Sequence, residues 1–351
     1  MLGKELDLNA ENEETTKFKN EMAKLVVGQS HTINQISQIY QIINADIANS
    51  IKPIGVFMLM GPTGTGKTHT VEALAKILMG DGRKFIKINC TEMKLKHSIN
   101  KVLGAPAGYI GHKTKTTVNK ETIAKVMHPT KKFWILLLDE IEKAHQALYQ
   151  VMMDVFDKAE LHDGKNRLID YSRCIIFMTS NLGVKPPKTI QGFSNTGKSS
   201  APVAKHKIIT KLTGEQQYDD ALEARFSPEF LNRIDYYSVY NKLSTEQLRK
   251  IVELEVGYIE DRINKSKKMS LKIECSDAVL DKLVGYGNDP DFGARPLKRI
   301  LEKMIVEPFS LFLTTNQLKE YDWIIVNLNP NEQNKFTFYV KDLLLKDLSP
   351  P

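Results

Sequence analysis

A nearly unbroken apolar run, IGVFMLM (54–60), leads straight into GPTGTGKT (61–68). The second stretch matches G-x-x-x-x-G-K-[ST], a pattern that works in only one structural setting. A buried strand must deliver the chain to a glycine-rich turn and a helix must begin there, so that backbone N–H groups and the positive end of the helix dipole face one anion. Both halves of that setting are present, because Val71, Leu74, Ala75 and Leu78 fall on one helical face after Thr68. In this reading Pro62, Thr63, Gly64, Thr65 and Gly66 surround the phosphates of a nucleotide. Lys67 reaches the β- and γ-phosphates, and Thr68 supplies a hydroxyl to Mg2+.

Three further apolar runs, KFIKIN (84–89), FWILLLD (133–139) and CIIFMTS (174–180), alternate with amphipathic segments. Runs of this kind predict strands buried on both faces of a parallel sheet, hence an α/β fold. The third ends in Asp139 and Glu140, carboxylates at the carboxyl end of a buried strand and so beside the phosphates. Asp139 is placed to hold Mg2+ and Glu140 to polarise an attacking water. A second match to the phosphate pattern, GFSNTGKS (192–199), fails the same test. Lys185, Pro186, Pro187 and Lys188 precede it instead of a strand, and Pro202 interrupts any helix after it.

The remainder bounds the fold and the partners. Residues 7–25 read as a polar helix or flexible lead-in, and the spacing of Ile33, Ile36, Ile39 and Ile43 predicts a helix after Gly28. Residues 184–215, rich in Pro, Gly and Ser, read as a mobile loop. Beyond residue 242 the pattern becomes mostly helical and ends in strand-like DWIIVNL and KFTFYV. The expected division is therefore a lead-in (1–25), a large P-loop domain (26–241) and a smaller α/β domain (242–351). No run reaches the ~18 apolar residues of a membrane span, and the polar start does not resemble a signal peptide, so the expected setting is cytoplasmic. Cys90, Cys174 and Cys275 are too dispersed for a disulfide framework or thiolate metal site. The net charge of +7 is partly concentrated at 112–132, which carries six lysines and no interleaved aromatics, so nucleic acid is not the expected partner.

Seven stretches together have a family likeness: VVGQ (26–29), GPTGTGKT, GAPAGYIG (104–111), LLLDEIEKAH (136–145), MTSNLG (178–183), FSPEFLNRID (226–235) and FGARPLKR (292–299). Their order resembles that of Clp-type AAA+ unfoldases, most of all the second, C-terminal ATPase module, over residues 24–345. The resemblance implies an AAA+ fold, a parallel sheet sandwiched by helices followed by a mostly helical lid domain. It implies an ATP- and Mg2+-dependent ring, a hexamer, that threads unfolded or aggregated polypeptide through its pore. Val26 and Val27 match adenine-pocket positions. Asn181 matches the sensor that helps orient the water, Arg233 the finger that enters the neighbouring subunit's site, and Arg295 the second sensor. Tyr109 and Ile110 in GYIG match the pore loop that grips the polypeptide, and LHDGKNR (161–167) lies where a second pore loop would be.

There are departures from the family pattern. HKTKTTVNKETIAKV replaces the acidic, glycine-containing sequence usual after the pore loop. The N-terminal domain, first ATPase ring and coiled-coil middle domain of larger relatives have no counterpart in these 351 residues. TIQGFSN (189–195) stands where some relatives carry an aliphatic-Gly-Phe tripeptide that docks on a barrel-shaped peptidase. Ile190, Gly192 and Phe193 are therefore candidate docking residues for a peptidase or adaptor, with an unstructured insertion as the plainer alternative. Two other functions stay open at this point. One is an AAA+ machine acting on nucleic acid; the other is a nucleotide-dependent adaptor or scaffold that does not turn over in practice.

Overall fold

The computed structural model describes residues 12–103, 116–163, 166–184, 212–287, 293–332 and 335–341. The chain divides into two compact units, Met1–Pro62 with Gly66–Asn241, and Thr63–Thr65 with Lys242–Pro351. Tyr109, Ile110, Ile190, Gly192 and Phe193 lie outside the described residues, as does the whole of GFSNTGKS.

The first unit contains strands β1 (Gly55–Met60), β2 (Ile86–Asn89), β3 (Trp134–Asp139), β4 (Glu160–His162), β5 (Leu168–Asp170), β6 (Cys174–Ser180) and β7 (Tyr236–Val239). Five of these form one sheet in the order β2-β3-β6-β1-β7, with every pairing parallel. All residues of β1 and β6 are buried, because both faces of the sheet carry a core. Met58, Met60, Leu136, Leu138, Ile176 and Met178 enter one core, which includes Leu148, Met152 and Val155 of the Gln146–Lys158 helix. Phe57, Leu59, Ile135, Leu137, Ile175 and Phe177 enter the other, against the helices Glu13–Leu25, Ser30–Ala45 and Lys67–Met79. The four apolar runs are thus strands of a parallel sheet. β7 has no such run, since Tyr236, Tyr237 and Val239 are only half-buried at the sheet's edge.

The Glu13–Leu25 helix is more than a lead-in. Asn12 caps it by accepting from Thr15 N–H at 2.7 Å. Phe18 and Met22, four residues apart and so on one face, are buried in the first unit's core, where Phe18 stacks on Tyr40 with ring centroids 4.3 Å apart. The segment at 161–167 begins in β4, and β4 pairs antiparallel with β5 as a hairpin. Asp163 accepts there from the Arg167 backbone N–H at 2.9 Å and from Nε at 2.8 Å.

In the second unit, Ser244 and Gln247 form a capping box that starts the Thr245–Lys267 helix. Leu248, Val252, Val256, Ile259 and Ile263 run along its buried stripe. They meet the helices Asp277–Gly287, Arg295–Leu301 and Glu307–Thr314 and a three-stranded sheet. That sheet comprises β8 (Lys272–Cys275), β9 (Trp323–Leu328) and β10 (Phe336–Val340) in the order β10-β9-β8, the pair β8–β9 being parallel. Among the described residues, no helix is long and apolar enough to cross a membrane.

Met22 is fully buried, so Met22→Ala is expected to lower the stability of the first unit by about 2–5 kcal/mol. The shift of its urea transition measures this; a merely appended helix would leave the transition in place.

Candidate functional site

The parallel register brings the carboxyl ends of β1, β3 and β6 to one edge, with Met60 opposite Ser180 and Leu138 opposite Met178. Residues that follow these strands therefore converge. Gly61 turns the chain out of β1 with φ of 134°, and a Cβ there would overlap the Tyr240 carbonyl oxygen, so only glycine fits. Gly66, with φ of 99°, precedes the Lys67–Met79 helix and gives it no side-chain cap. A Cβ at Gly66 would find no atom within 4 Å, which leaves an open cradle over uncapped helical N–H groups. That arrangement fits a phosphate.

Lys67 is 8% exposed, and its Nζ donates to Gly61 O at 2.6 Å, Pro62 O at 2.7 Å and Asn181 Oδ1 at 2.9 Å. Burial pushes its pKa down to about 8, against the opposing pull of Glu142, Asp139 and Glu140. The ammonium is thus surrounded by carbonyls and acids.

Asp139 Oδ1 accepts from Thr179 Oγ1 at 2.6 Å and from Thr68 Oγ1 at 3.3 Å, and Lys87 Nζ lies 2.6 Å from Oδ2. Burial alone would raise this carboxyl, but the bonds from Lys87, Thr179 and Thr68 outweigh it and hold its pKa below the usual value. A carboxylate kept ionised beside a threonine hydroxyl is a hard-oxygen donor pair suited to Mg2+. Glu140 has a left-handed backbone, φ 56° and ψ 54°, an arrangement that costs a non-glycine residue about 1–3 kcal/mol. Its N–H donates to Thr179 Oγ1 at 2.9 Å, so one threonine orients both acids.

Asn181 is held from two sides. Its side chain accepts from Lys67, and its backbone N–H donates to Glu142 Oε1 at 3.2 Å. Glu142 is 8% exposed, and its Oε2 has no hydrogen-bond partner among the described residues. The carbonyls of Glu142 and Ala144 accept from Arg225 Nε and Nη2, both at 2.9 Å.

The sequence-derived candidates therefore divide. Gly66, Lys67, Thr68, Asp139, Glu140 and Asn181 come together. Val26 is buried in the core and Val27 is half-buried next to it; Thr65 is buried, and Pro62, Thr63 and Gly64 are partly exposed. Arg233 makes no hydrogen bond to this cluster and binds Asp157 instead. Arg295 is the exposed first residue of its helix in the second unit. Thr179, Lys87 and Glu142 escaped the motif reading, although all three lie inside its quoted stretches or runs.

A family described as AAA domain (Cdc48 subfamily) matches residues 52–237, and the C-terminal, D2-small domain of ClpB protein matches 243–326. The chain belongs to the Clp-type AAA+ ATPases. Among its relatives are the chaperone protein ClpB of Bdellovibrio bacteriovorus, 31% identical over 92% of this chain and 35% of the relative, and heat shock protein hsp98 of Neurospora crassa, 33% identical over 89% and 31%. The ATP-binding subunit ClpC of a Clp protease from Staphylococcus aureus is 34% identical over 88% of this chain and 36% of its own length. The chain thus spans about a third of the length of these relatives. A solved Saccharomyces cerevisiae Hsp104:casein complex superposes with a TM-score of 0.73 at 28% identity, covering 94% of this chain and 53% of that one. A closed-state Hsp104 reconstruction with ATPγS and casein gives 0.72.

Thr179→Val keeps the shape of a buried side chain while removing the donor to Asp139 and the acceptor for Glu140 N–H. It is expected to destabilise the nucleotide-free chain by about 1–3 kcal/mol, read from urea unfolding.

Proposed function

We propose that this chain is the ATP-hydrolysing module of a Clp-type protein unfoldase or disaggregase. The observation that carries the proposal is the convergence of Lys67, Thr68, Asp139, Glu140 and Asn181 on one glycine-lined helix N-terminus. In the proposed reaction Glu140 takes a proton from a water whose oxygen bonds to the γ-phosphorus. The bond to the β,γ-bridging oxygen breaks, and the electron pair leaves with ADP. Lys67 and the loop amides hold the phosphates, and Asn181 orients the water. Thr68 and Asp139 would hold a Mg2+ ion, which when bound offsets charge on the phosphates.

Arg233 is assigned to the neighbouring subunit's site, where a cation would stabilise charge building on the γ-phosphate and make hydrolysis depend on assembly. Arg295 is assigned to nucleotide sensing from the second unit, and Val26 and Val27 to the adenine pocket. Assembly as a hexamer and threading of unfolded polypeptide by Tyr109 and Ile110 are supported by family membership and by the casein in the Hsp104 complexes. The pairing of Glu140 with Arg233 favours turnover over a passive adaptor. Tyr109 in its glycine frame favours polypeptide over nucleic acid.

The decisive experiment compares ATPase activity and unfolding of a model protein by wild type, Glu140→Gln and Tyr109→Ala. Glu140→Gln is expected to bind ATP and assemble with turnover lowered at least ~100-fold. Tyr109→Ala is expected to keep hydrolysis and lose unfolding. Normal unfolding by Tyr109→Ala would refute threading by this residue.

The low pKa of Lys67, about 8, makes nucleotide affinity depend on pH. The ammonium is the form that binds phosphate; it is half present at pH 8 and becomes complete well below that pH. A bound phosphate raises its pKa, so ATP affinity should fall as pH rises above 8, by at most ~10-fold per unit, with proton uptake on binding. Titrations between pH 7 and 9.5 measure this, and Lys67→Met should flatten the profile.

A further inference from the structure

Arg233 has much of its hydrogen-bonding capacity engaged within its own subunit. Its Nε donates to Asp157 Oδ2 at 2.7 Å, and Nη1 donates to Glu229 O at 2.7 Å and approaches Met153 Sδ at 3.7 Å. A guanidinium carries five N–H groups in one rigid plane. The two on Nη2 have no partner among the described residues. Nε and Nη1 are therefore held, and Nη2 is left to bind elsewhere.

The ties come from two elements. Met153 and Asp157, four residues apart, lie on one face of the Gln146–Lys158 helix, while Glu229 belongs to the short Pro228–Leu231 helix just before Arg233. The side chains of Arg233 and Asp157 are 30% and 40% exposed, so solvent screens their ion pair and it adds little to stability. What the pair does fix is orientation. A long arginine side chain loses its swivel when Nε is held, and an anion must then meet the free Nη2 edge.

We propose that Asp157 is a positioning residue for Arg233. By holding Nε it sets the guanidinium plane so that the Nη2 edge reaches the developing charge on a γ-phosphate in the adjoining subunit. The inference rests on the reading of Arg233 as an inter-subunit finger. Asp157 itself touches neither nucleotide nor water in this scheme, and its effect passes through Arg233. The same contact used as a latch, withholding Arg233 until nucleotide binds next door, has the opposite consequence, since breaking it would speed hydrolysis.

The test is steady-state ATPase kinetics of the full chain for wild type, Asp157→Asn, Asp157→Glu, Arg233→Ala and the double variant Asp157→Asn/Arg233→Ala. Nucleotide affinity and assembly are measured alongside. Asp157→Asn is expected to lower kcat about tenfold, the scale of a misplaced transition-state contact, with affinity, KM for ATP and assembly within about twofold of wild type. Asp157→Glu should recover part of the loss. Arg233→Ala should be worse than Asp157→Asn, and the double variant no worse than Arg233→Ala alone, because the two residues act as one unit. A merely structural Asp157 would instead shift affinity or assembly and add its effect in the double variant. The inference is overturned if Asp157→Asn keeps or raises kcat while Arg233→Ala abolishes it. If Arg233→Ala keeps wild-type kcat, the finger reading itself fails and this inference falls with it.

Discussion

The ammonium of Lys67 is buried at the end of β1, and most of the site can be understood as the set of groups that make this tolerable. Removing a lysine from water costs several kcal/mol unless acceptors and opposite charge replace the lost hydration. Gly61 O, Pro62 O and Asn181 Oδ1 supply the acceptors, and Glu142, Asp139 and Glu140 supply the charge. Replacement is incomplete, since the pKa still falls to about 8. An ammonium still penalised by burial gains from any further anionic partner that can reach it. The phosphates of a nucleotide complete a balance that the protein alone leaves unfinished.

That arrangement depends in turn on register. β1, β3 and β6 run parallel and end level, so the loop after one strand, the acids after the second and the amide after the third meet without any long excursion of the chain. Thr179, the penultimate residue of β6, is the point where these contributions lock together. Its hydroxyl donates to Asp139 and accepts from the Glu140 backbone, which sets the Mg2+ candidate and the candidate base relative to each other. The left-handed turn at Glu140 is a local cost carried by that neighbour across the sheet.

Much of this was legible in the sequence, for a physical reason. Strands buried on both faces write themselves as continuous apolar runs, and a phosphate loop needs glycines at fixed offsets, so both leave local marks. β7 and β8 leave weaker ones: β7 sits at an edge with half-buried residues, and β8 buries only Ile273 among its four residues. The Glu13–Leu25 helix reads as polar because only two buried apolar residues, Phe18 and Met22, anchor an otherwise polar and charged segment. Thr179, Lys87 and Glu142 were invisible as functional residues because their importance lies in contacts with other segments. Lys87 looks like the polar half of an alternating strand. It reaches Asp139 only because β2 pairs with β3 in the register that sets Asn89 opposite that acid.

The same logic extends from the nucleotide site to the residue assigned to the neighbouring subunit. Asp235, two residues after Arg233, accepts from Val56 N–H at 2.8 Å and donates its own N–H to Val56 O at 3.0 Å, fastening the finger's turn to the strand that carries the phosphate loop. Arg225, three residues before the Pro228–Leu231 helix, is fastened to the Glu142 and Ala144 carbonyls and lies over the Tyr149 ring at 5.5 Å. Tyr149 in turn donates to Ile141 O and Ala144 O. The segment 225–235 is therefore held at one end to the turn after the candidate base and at the other to the phosphate-loop strand. Glu142 joins the first of these anchors to Asn181 and, through it, to Lys67. Any shift of the Glu142 turn on hydrolysis must either stretch the Arg225 bonds or move the finger's segment with it. Under the proposed assignment of Arg233 to an adjoining subunit's site, this chain of contacts links the nucleotide site of one chain to the residue it would lend to the next.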